Sequence, residues 1–472
     1  MRKLLSLALL LGLTLGAEAQ SLISIIPLDT TSKFTINFVA NGRAKYDVAN
    51  YKILYQTPDV DGNPSTASGL MSVPLVPCDS IGIVLYDHGT VLERDEVPSR
   101  NNFESIIGKV FASRGYVCVM PDYLGLGDSP GLHPYVHAET EATASIDMMR
   151  AVREALADSI ASYNLNSEVF ITGYSQGGHA AMATVKYIQD NNLETEFNVV
   201  GAAPASGPYN LTGSQASVFI NNQPYSNPGY VVYLLLGMNH AYGGVFFSNP
   251  SEILKAPYDV IIPPYFDGTY PMDSVNSKLP SRVRDYLEDS VVQAFVDDTV
   301  NQQHWLWTIL NDNSNHDWRP NSKLRMYYCT NDEQVNYQNA LDAYAAMTAK
   351  GATDVHAIGR GAFNHGGCVA PSIESAVYFF DSLSTSCSSF VGLLDQDLAS
   401  YEVYPNPVHS ELNIEGMGEQ AEIRIYDLNG RLVLEQKASF QTRLSLADLN
   451  KGIYLLEIQE GQRRTRQRIM KY

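Results

Sequence analysis

Short apolar runs alternate with longer helix-like segments through the middle of the chain, from about residue 80 to residue 385. Six runs have the length and apolar content of β-strands, and they cover residues 81–86, 116–120, 169–172, 199–202, 324–329 and 354–358. Four segments repeat their apolar residues with helical spacing, at residues 139–159, 178–190, 337–350 and 371–383. Strands that alternate with helices in this way predict an α/β protein with a mainly parallel central sheet.

Two further regions depart from this alternation. Ahead of it, residues 34–39, 51–57 and 69–74 predict antiparallel strands that enter the same sheet. Within it, residues 211–322 form a long segment rich in Asn, Pro and Tyr, with helical pieces near residues 281–297. Insertions of this length inside a compact domain are usually functional. The apolar pieces of this segment predict a cap over a substrate cleft, and a separately packed subdomain without substrate contact is the alternative.

Residues 1–19 have the pattern of a secretory signal peptide. Arg2 and Lys3 precede an apolar run over residues 4–16, and an Ala-Glu-Ala cleavage sequence ends the segment. The apolar run is shorter than the ~20 residues that span a bilayer. We therefore expect an exported protein whose mature chain starts at Gln20 and which has no transmembrane segment.

The last part of the chain differs in composition from the rest. From residue 401 onward, short alternating strands follow one another, and an Asn-Gly pair supplies a tight hairpin turn. This region carries equal numbers of acidic and basic side chains, so the negative net charge of the protein, −19, lies in the preceding residues. We expect a main domain at residues 20–384, a linker at 385–400 and a small β-rich domain at 401–472.

Charge and cysteine content narrow the class of protein. A chain with 51 acidic and 32 basic side chains repels the phosphate backbone, which excludes nucleic acid as a partner. A composition of 45% hydrophobic and 18% charged residues is typical of a soluble globular protein.

The five cysteines are odd in number, so at least one is unpaired. Cys118 and Cys329 lie in apolar strand-like runs and are interpreted as small buried residues. A helix between Cys368 and Cys387 would keep that pair apart.

The sequence GYSQG at residues 173–177 fits the G-x-S-x-G pattern of a nucleophile turn. A strand over residues 169–172 precedes it and a helix follows near Gly178, which is the structural context that the pattern requires. The glycines allow the strand to turn sharply into the helix. The turn exposes the Ser175 hydroxyl at the helix N-terminus, whose dipole favours a developing oxyanion. The pattern therefore predicts Ser175 as the nucleophile of an acyl-transfer reaction.

A serine hydroxyl needs a base to remove its proton and a carboxylate to orient that base. His365 lies in the loop between the last predicted strand and the last predicted helix, where a base reaches the edge of the sheet that carries the nucleophile. Asp332 follows the preceding predicted strand and is the expected acid. Its neighbour Glu333 is the alternative.

The oxyanion of the reaction intermediate needs two main-chain N–H donors. We expect the first from Gln176, directly after the nucleophile. The second is expected from the sequence DHGT at residues 87–90, which follows the strand at 81–86 and has the His-Gly form found in lipases and esterases. We assign it to Thr90, with Gly89 as the alternative.

These residues together resemble the α/β-hydrolase superfamily, and PDYLGLGDS at residues 121–129 is similar to the matching segment of its secreted lipases and esterases. The resemblance covers about residues 30–385. It implies an α/β-hydrolase fold with an eight-stranded, mostly parallel sheet and a cap inserted after the sixth strand. It also implies a secreted serine hydrolase that cleaves carboxylic esters through an acyl-enzyme. The sequence has no P-loop or dinucleotide-binding pattern, and His133 and His137 have Pro134 between them and no obvious third ligand, so we expect neither cofactor nor metal. A serine peptidase of the same superfamily and an inactive exported binding or adhesion protein are the alternatives.

The tail resembles the C-terminal sorting domain of type IX secretion in Bacteroidota. The sequence YPNP at residues 404–407 carries the resemblance together with residues 412–414, 425–431 and 449–454. It implies a small all-β sandwich that the export machinery recognises. The protein would then reach the medium or the cell surface through the periplasm of a Gram-negative bacterium. An accessory carbohydrate-binding or adhesive sandwich is the alternative.

Overall fold

The computed structural model describes most of the chain. The described residues are 21–40, 43–76, 80–158 and 163–386, and in the tail 402–404, 408–415, 417–418, 420–427, 431–461 and 463–471. The predicted signal peptide and most of the predicted linker therefore lie outside the described residues.

Nine strands of the described residues form one sheet in the order β1-β2-β3-β5-β4-β6-β7-β8-β9. The strands are β1 (Leu22–Thr31), β2 (Val48–Pro58), β3 (Pro64–Pro74), β4 (Ile81–Asp87), β5 (Val117–Pro121), β6 (Leu165–Tyr174), β7 (Asn198–Ala205), β8 (Lys323–Tyr328) and β9 (Val355–Gly359). The pairings from β5 through β4 to β9 are parallel, whereas β1, β2 and β3 enter the sheet antiparallel. The predicted α/β class with a mainly parallel sheet is confirmed.

Helices cover both faces of the sheet because side chains along each strand point alternately to one face and the other. In β5, Val117 and Val119 belong to one apolar core, while Cys118 and Met120 belong to the other. The first core is covered by α3 (Ala138–Asp158), α4 (Gln176–Asp190) and α12 (Gln338–Ala349), and the second by α1 (Lys33–Ala40), α2 (Ser105–Ala112) and α13 (His365–Leu383). None of the helices in the described part of the chain has the length and apolar character that crossing a membrane requires.

The long segment between β7 and β8 is built from helices. They are α5 (Ser217–Ile220), α6 (Pro228–Ala241), α7 (Tyr258–Ile261), α8 (Met272–Asn276), α9 (Val283–Tyr286), α10 (Asp289–Asp297) and α11 (Trp305–Asp312). They share an apolar core of their own, in which the rings of Phe295 and Trp307 stack with centroids 4.2 Å apart. We call this helical insertion the cap.

The prediction of a strand at residues 34–39 is wrong, and the sequence does not predict the strand β1. Residues 34–39 form the helix α1 instead of a strand, because Ile36 and Ala40 are four residues apart and both are buried on one face. The Ser32 hydroxyl accepts a hydrogen bond from the Thr35 N–H at the start of this helix. The strand β1 was not predicted, because it lies at the edge of the sheet and is largely exposed. Because β1 adds a strand, the cap follows the seventh strand along the chain instead of the sixth.

The described residues of the tail form two antiparallel sheets. One has the order β10-β11-β14 and the other β13-β12-β15-β16. The strands are β10 (Glu402–Tyr404), β11 (Glu411–Glu415), β12 (Ala421–Tyr426), β13 (Leu432–Ala438), β14 (Gln441–Ser445), β15 (Gly452–Glu460) and β16 (Arg463–Lys471). Buried residues from both sheets, including Leu412, Ile423 and Leu456, share one apolar core. The predicted β-rich character of this region is confirmed.

The chain segment after α13 is fixed to the starting ends of β4 and β6. The buried carboxylate of Glu168 accepts hydrogen bonds from the Thr385 N–H at 2.9 Å and from the Ser384 and Ser386 hydroxyls at 3.1 Å each. The Ser386 hydroxyl also accepts a hydrogen bond from the Gly82 N–H at 2.7 Å. The last residues before the predicted linker are therefore held at the edge of the sheet opposite to the carboxyl ends of its parallel strands.

Candidate active site

Ser175 occupies a strained turn between β6 and α4. Its backbone angles are φ 60° and ψ −120°, a conformation that side chains other than glycine rarely adopt. The turn is closed by direct contact between main-chain segments. A Cβ atom on Gly173 would lie 2.1 Å from the Gly177 carbonyl oxygen, and one on Gly177 would lie 1.9 Å from the Asp87 carbonyl oxygen. Glycine is therefore required at both positions, as the G-x-S-x-G pattern predicts.

The imidazole of His365 is paired with the carboxylate of Asp332. The His365 Nδ1 atom lies 2.9 Å from Oδ1 and 2.8 Å from Oδ2 of Asp332. The carboxylate is almost completely buried, and its Oδ1 atom also accepts hydrogen bonds from the main-chain N–H groups of Gln334 and Val335. The carboxylate of Asp332 is thus held by its own loop as well as by the imidazole. Since this contact uses Nδ1 of His365, the Nε2 atom is available to other partners.

Glu333 contacts the main chain of His365 and not its ring. Its Oε2 atom accepts a hydrogen bond from the His365 N–H at 3.0 Å. On the other side, the hydroxyl of Tyr174 donates to the His365 carbonyl oxygen at 2.6 Å. These two bonds fix the first residue of α13. The geometry therefore favours Asp332 over Glu333 as the partner of the imidazole.

The main-chain N–H groups of Thr90 and Gln176 make no hydrogen bond to another main-chain group among the described residues. The N–H of Gly89, in contrast, donates to Oε1 of Glu104 at 2.9 Å. A donor that already has a partner is poorly placed to receive a new anion, since the existing bond must break first. The geometry therefore favours Thr90 over Gly89 as the second oxyanion donor.

Two cavities meet at Ser175. The larger has a volume of about 610 Å³, lies between α1, α2 and α13, and includes Thr90, Glu104 and His365 in its lining. The smaller has a volume of about 60 Å³ and lies mainly against the cap. It is lined largely by apolar and tyrosine side chains, among them Tyr135, Leu211, Val218, Phe219, Tyr225, Tyr230, Val231 and Leu234. We call the larger cavity the groove and the smaller one the cap pocket.

A buried polar cluster under the turn was not predicted from the sequence. The side-chain amide of Gln176 lies 3.0 Å from Oε1 of Glu141 and 2.7 Å from Nε2 of His133. Burial lowers the pKa of His133 to about 3, so its ring is neutral and Nε2 accepts the hydrogen bond. The second carboxylate oxygen of Glu141 pairs with His179 at 2.7 Å. The cluster fixes the side chain of Gln176. The main-chain N–H of the same residue is one of the two expected oxyanion donors.

A signal for this cluster was present in the helix α3. Glu141 and Ser145 are four residues apart and lie among buried alanines and methionines, so two polar side chains occupy the apolar face of the helix. Such residues need buried partners. Their partners, Gln176 and Asp87, belong to distant segments that the sequence alone does not pair.

His88 and His356 differ from His365 in their surroundings. His88 is fully buried and lies 2.7 Å from the Gly89 carbonyl oxygen, whereas His356 is largely exposed on β9. His133 and His137, four residues apart, do not share a metal-binding geometry. Within the described residues, no group of three or more metal-ligating side chains comes together.

Comparison with protein families identifies both parts of the chain. The sequence model of the secretory lipase family matches residues 102–370, more than half of the chain. The chain belongs to the secretory lipase family. A second model, the secretion system C-terminal sorting domain, matches residues 402–472. Both resemblances seen in the sequence, to the α/β-hydrolases and to the sorting domain, are confirmed. No curated protein sequence matches the chain significantly.

Solved structures similar to this chain share its α/β-hydrolase fold. A protein of Legionella pneumophila that is named as a hydrolase is 30% identical, with a TM-score of 0.71, over 77% of this chain and 98% of that one. The rice cell wall degrading esterase LipA from Xanthomonas oryzae, in a ligand-bound form, is 28% identical, with a TM-score of 0.68 and the same coverage. Lipase A of Candida antarctica is 18% identical, with a TM-score of 0.56, over 78% of this chain and 83% of that one, and supports the fold alone.

A disulfide bond links the segments that carry Asp332 and His365. Cys329, three residues before Asp332, is bonded to Cys368, three residues after His365. The interpretation of Cys329 as a free buried residue is therefore wrong, because α13 packs over the end of β8 and brings the two sulfurs together. Cys118 is free and buried, as expected, and Cys387 lies outside the described residues.

Replacing both Cys329 and Cys368 with alanine is expected to lower the free energy of unfolding by about 4 kcal/mol. This value follows from the loop entropy of a bond that joins residues 39 positions apart. Urea titration of the wild type and the variant measures the difference. Cys118→Ala is the matched control, because it removes a buried sulfur without removing a cross-link, and it is expected to cost about 1 kcal/mol. A double variant as stable as the control would contradict the prediction.

Proposed function

We propose that this protein is a secreted serine hydrolase that cleaves carboxylic esters, with Ser175 as nucleophile, His365 as general base and Asp332 as the acid that orients the base. The single observation that carries the proposal is the arrangement around the groove. A strained serine and an imidazole already paired with a buried carboxylate line the same cavity. The family to which the chain belongs supports a hydrolase that acts on esters.

The geometry supports a two-step acyl transfer. Because the Nδ1–H of His365 donates to Asp332, the Nε2 atom accepts the proton of Ser175 as its oxygen attacks the ester carbonyl carbon. The carbonyl oxygen becomes an oxyanion, which receives hydrogen bonds from the N–H groups of Gln176 and Thr90. His365 then returns the proton to the leaving alcohol, and the acyl group stays on Ser175. Water, activated by the same imidazole, releases the acid and restores the serine.

The small volume of the cap pocket supports a preference for short acyl groups. A cavity of about 150 Å³ holds a molecule of the size of benzene, and the cap pocket at about 60 Å³ is less than half that volume. We therefore propose that acyl chains of roughly two to four carbons are preferred. LipA of Xanthomonas oryzae is named as an esterase, which supports an ester as the substrate.

We propose that the two ends of the chain direct its export. Residues 1–19 would take the protein to the periplasm as a signal peptide. Residues 401–472 would then be recognised by the type IX machinery, since the match to a secretion system C-terminal sorting domain covers almost the same residues. The hydrolase domain proposed at 20–384 and the linker at 385–400 complete this organisation.

Ser175→Ala is expected to reduce ester hydrolysis by roughly 10⁶-fold, as loss of the nucleophile does in other serine hydrolases. Hydrolysis of p-nitrophenyl butyrate measures turnover, and a fluorophosphonate probe is expected to label the wild type at Ser175 but not the variant. Ser113→Ala, at a buried serine that lines neither cavity, is the control and should keep both activity and labelling. Turnover that survives Ser175→Ala would refute the assignment. Faster cleavage of aminoacyl amides than of esters would favour the peptidase alternative.

Leu234→Ala is expected to shift the acyl preference toward longer chains. The change enlarges the cap pocket, so that two further methylenes are buried at about 0.8 kcal/mol each. The ratio of kcat/KM for hexanoyl over butyryl esters should therefore rise roughly tenfold. Leu236→Ala, on the same helix but outside both cavities, is the matched control and should leave the ratio unchanged. An unchanged ratio in Leu234→Ala would show that the acyl chain binds elsewhere.

A chain that ends after Ser389 is expected to fold and to keep full esterase activity, because it retains α13 and the contacts of Ser384, Thr385 and Ser386 with Glu168. In a host with type IX secretion, the same chain should remain inside the cell, because the sorting domain is missing. Activity in cell extract and in the medium measures both effects. Normal secretion of the shortened chain would argue against the sorting role. A folded but inactive product would mean that the tail contributes to substrate binding.

A further inference from the structure

The two cavities at Ser175 differ in whether they contact the general base. His365 lines the groove but is absent from the lining of the cap pocket, whereas Gln176 lines only the cap pocket. The imidazole must return its proton to the oxygen of the departing alcohol. The alcohol portion of an ester therefore occupies the groove, and the acyl portion occupies the cap pocket.

A half-buried carboxylate belongs to the wall of this groove. Oε1 of Glu104 accepts hydrogen bonds from the hydroxyl of Tyr86 at 2.8 Å and from the N–H of Gly89 at 2.9 Å. Burial and the nearby charge of Glu104 raise the pKa of Tyr86 well above its usual value, so the hydroxyl keeps its proton and remains a donor. No described residue donates to the other oxygen, Oε2. The position of Glu104 is thus fixed through one oxygen, while the other remains available.

The charge of Glu104 lies beside the loop that carries the proposed oxyanion donor Thr90. Negative charge next to a developing oxyanion disfavours the reaction, because like charges repel in a cleft that excludes water. A hydrogen-bond donor on the substrate that binds Oε2 reduces this repulsion by spreading the charge. The repulsion between Glu104 and the oxyanion is therefore smallest when the bound alcohol supplies such a donor.

We propose that Glu104 determines leaving-group specificity, because a free hydroxyl group of the leaving alcohol donates a hydrogen bond to its Oε2 atom. This inference rests on the proposed ester hydrolysis at Ser175. It adds a specificity-determining residue on the leaving-group side of the reaction. Aliphatic side chains of α2 and α13, including Ile106, Val369 and Ile373, line part of the groove and fit the carbon skeleton of such an alcohol.

The test compares two esters with the same acyl group and with leaving alcohols of three carbons each. Propyl butyrate releases an alcohol without a further hydroxyl, and glycerol monobutyrate releases one with two. The wild type is expected to have a kcat/KM roughly tenfold higher for the glycerol ester, mainly through KM. Glu104→Gln keeps the acceptor for Tyr86 and Gly89 but replaces the charged oxygen. It is expected to lower this ratio roughly tenfold, the difference between a hydrogen bond to a charged group and one to a neutral group.

The ratio is measured within each variant, so a general loss from a disturbed loop affects both esters equally and cancels. Glu96→Gln, which removes the same charge from an exposed position outside the groove, is the matched control and should keep the wild-type ratio. Labelling by a fluorophosphonate shows that each variant is folded.

Each of the following results would overturn the proposal. A wild type without preference for the glycerol ester, or a Glu104→Gln variant that keeps the preference, would show that Oε2 does not bind a substrate hydroxyl. A Glu104-dependent preference for butyrylcholine over the glycerol ester would show that the carboxylate recognises positive charge instead. Absence of hydrolysis of every ester, or turnover that survives Ser175→Ala, would remove the proposed function itself, and this inference with it.

Discussion

The close contact between the first turn of α4 and the ends of the neighbouring strands is the constraint on which the candidate site depends. At Gly177 and Gly178, an added Cβ atom would lie 1.9 Å and 2.4 Å from the carbonyl oxygens of Asp87 and Ala205. No side chain therefore separates the helix from the sheet at this point. Because main chain packs on main chain, the position of Ser175 is fixed by backbone geometry, and its N–H donates to the Ala205 carbonyl oxygen at 3.0 Å.

The buried contact between Glu141 and His179 under this turn has a different significance. Both side chains are almost completely buried and lie 2.7 Å apart. Taking polar groups out of water costs free energy, which their mutual hydrogen bond offsets. The contact fixes a geometry, since Glu141 also binds the side chain of Gln176. Rigid placement of the groups around a reacting atom is the property that an oxyanion site requires.

The order of the chain explains why the sequence was enough to place Ser175, Asp332 and His365 at the same edge of the sheet. Ser175, Asp332 and His365 each follow a strand of the parallel part of the sheet, and the carboxyl ends of parallel strands meet at one edge. A local pattern and the order of the strands were therefore sufficient. The contacts of Glu104 with Tyr86 and Gly89 depend on tertiary packing and leave no local pattern in the sequence. In the sequence, Glu104 resembles an ordinary acidic residue at the start of a helix. The same holds for the bond between Cys329 and Cys368, because pairing depends on which distant segments become neighbours.

The contacts of Glu168 determine on which side of the sheet the described part of the main domain ends. Glu168 and Ser175 belong to the same strand and its following turn, and seven residues of extended chain correspond to about 23 Å. The described part of the main domain therefore ends at Ser386, on the side of the sheet away from the groove. None of the described residues of the tail lines the groove. An enzyme released by cleavage within the predicted linker would thus keep every wall of its groove.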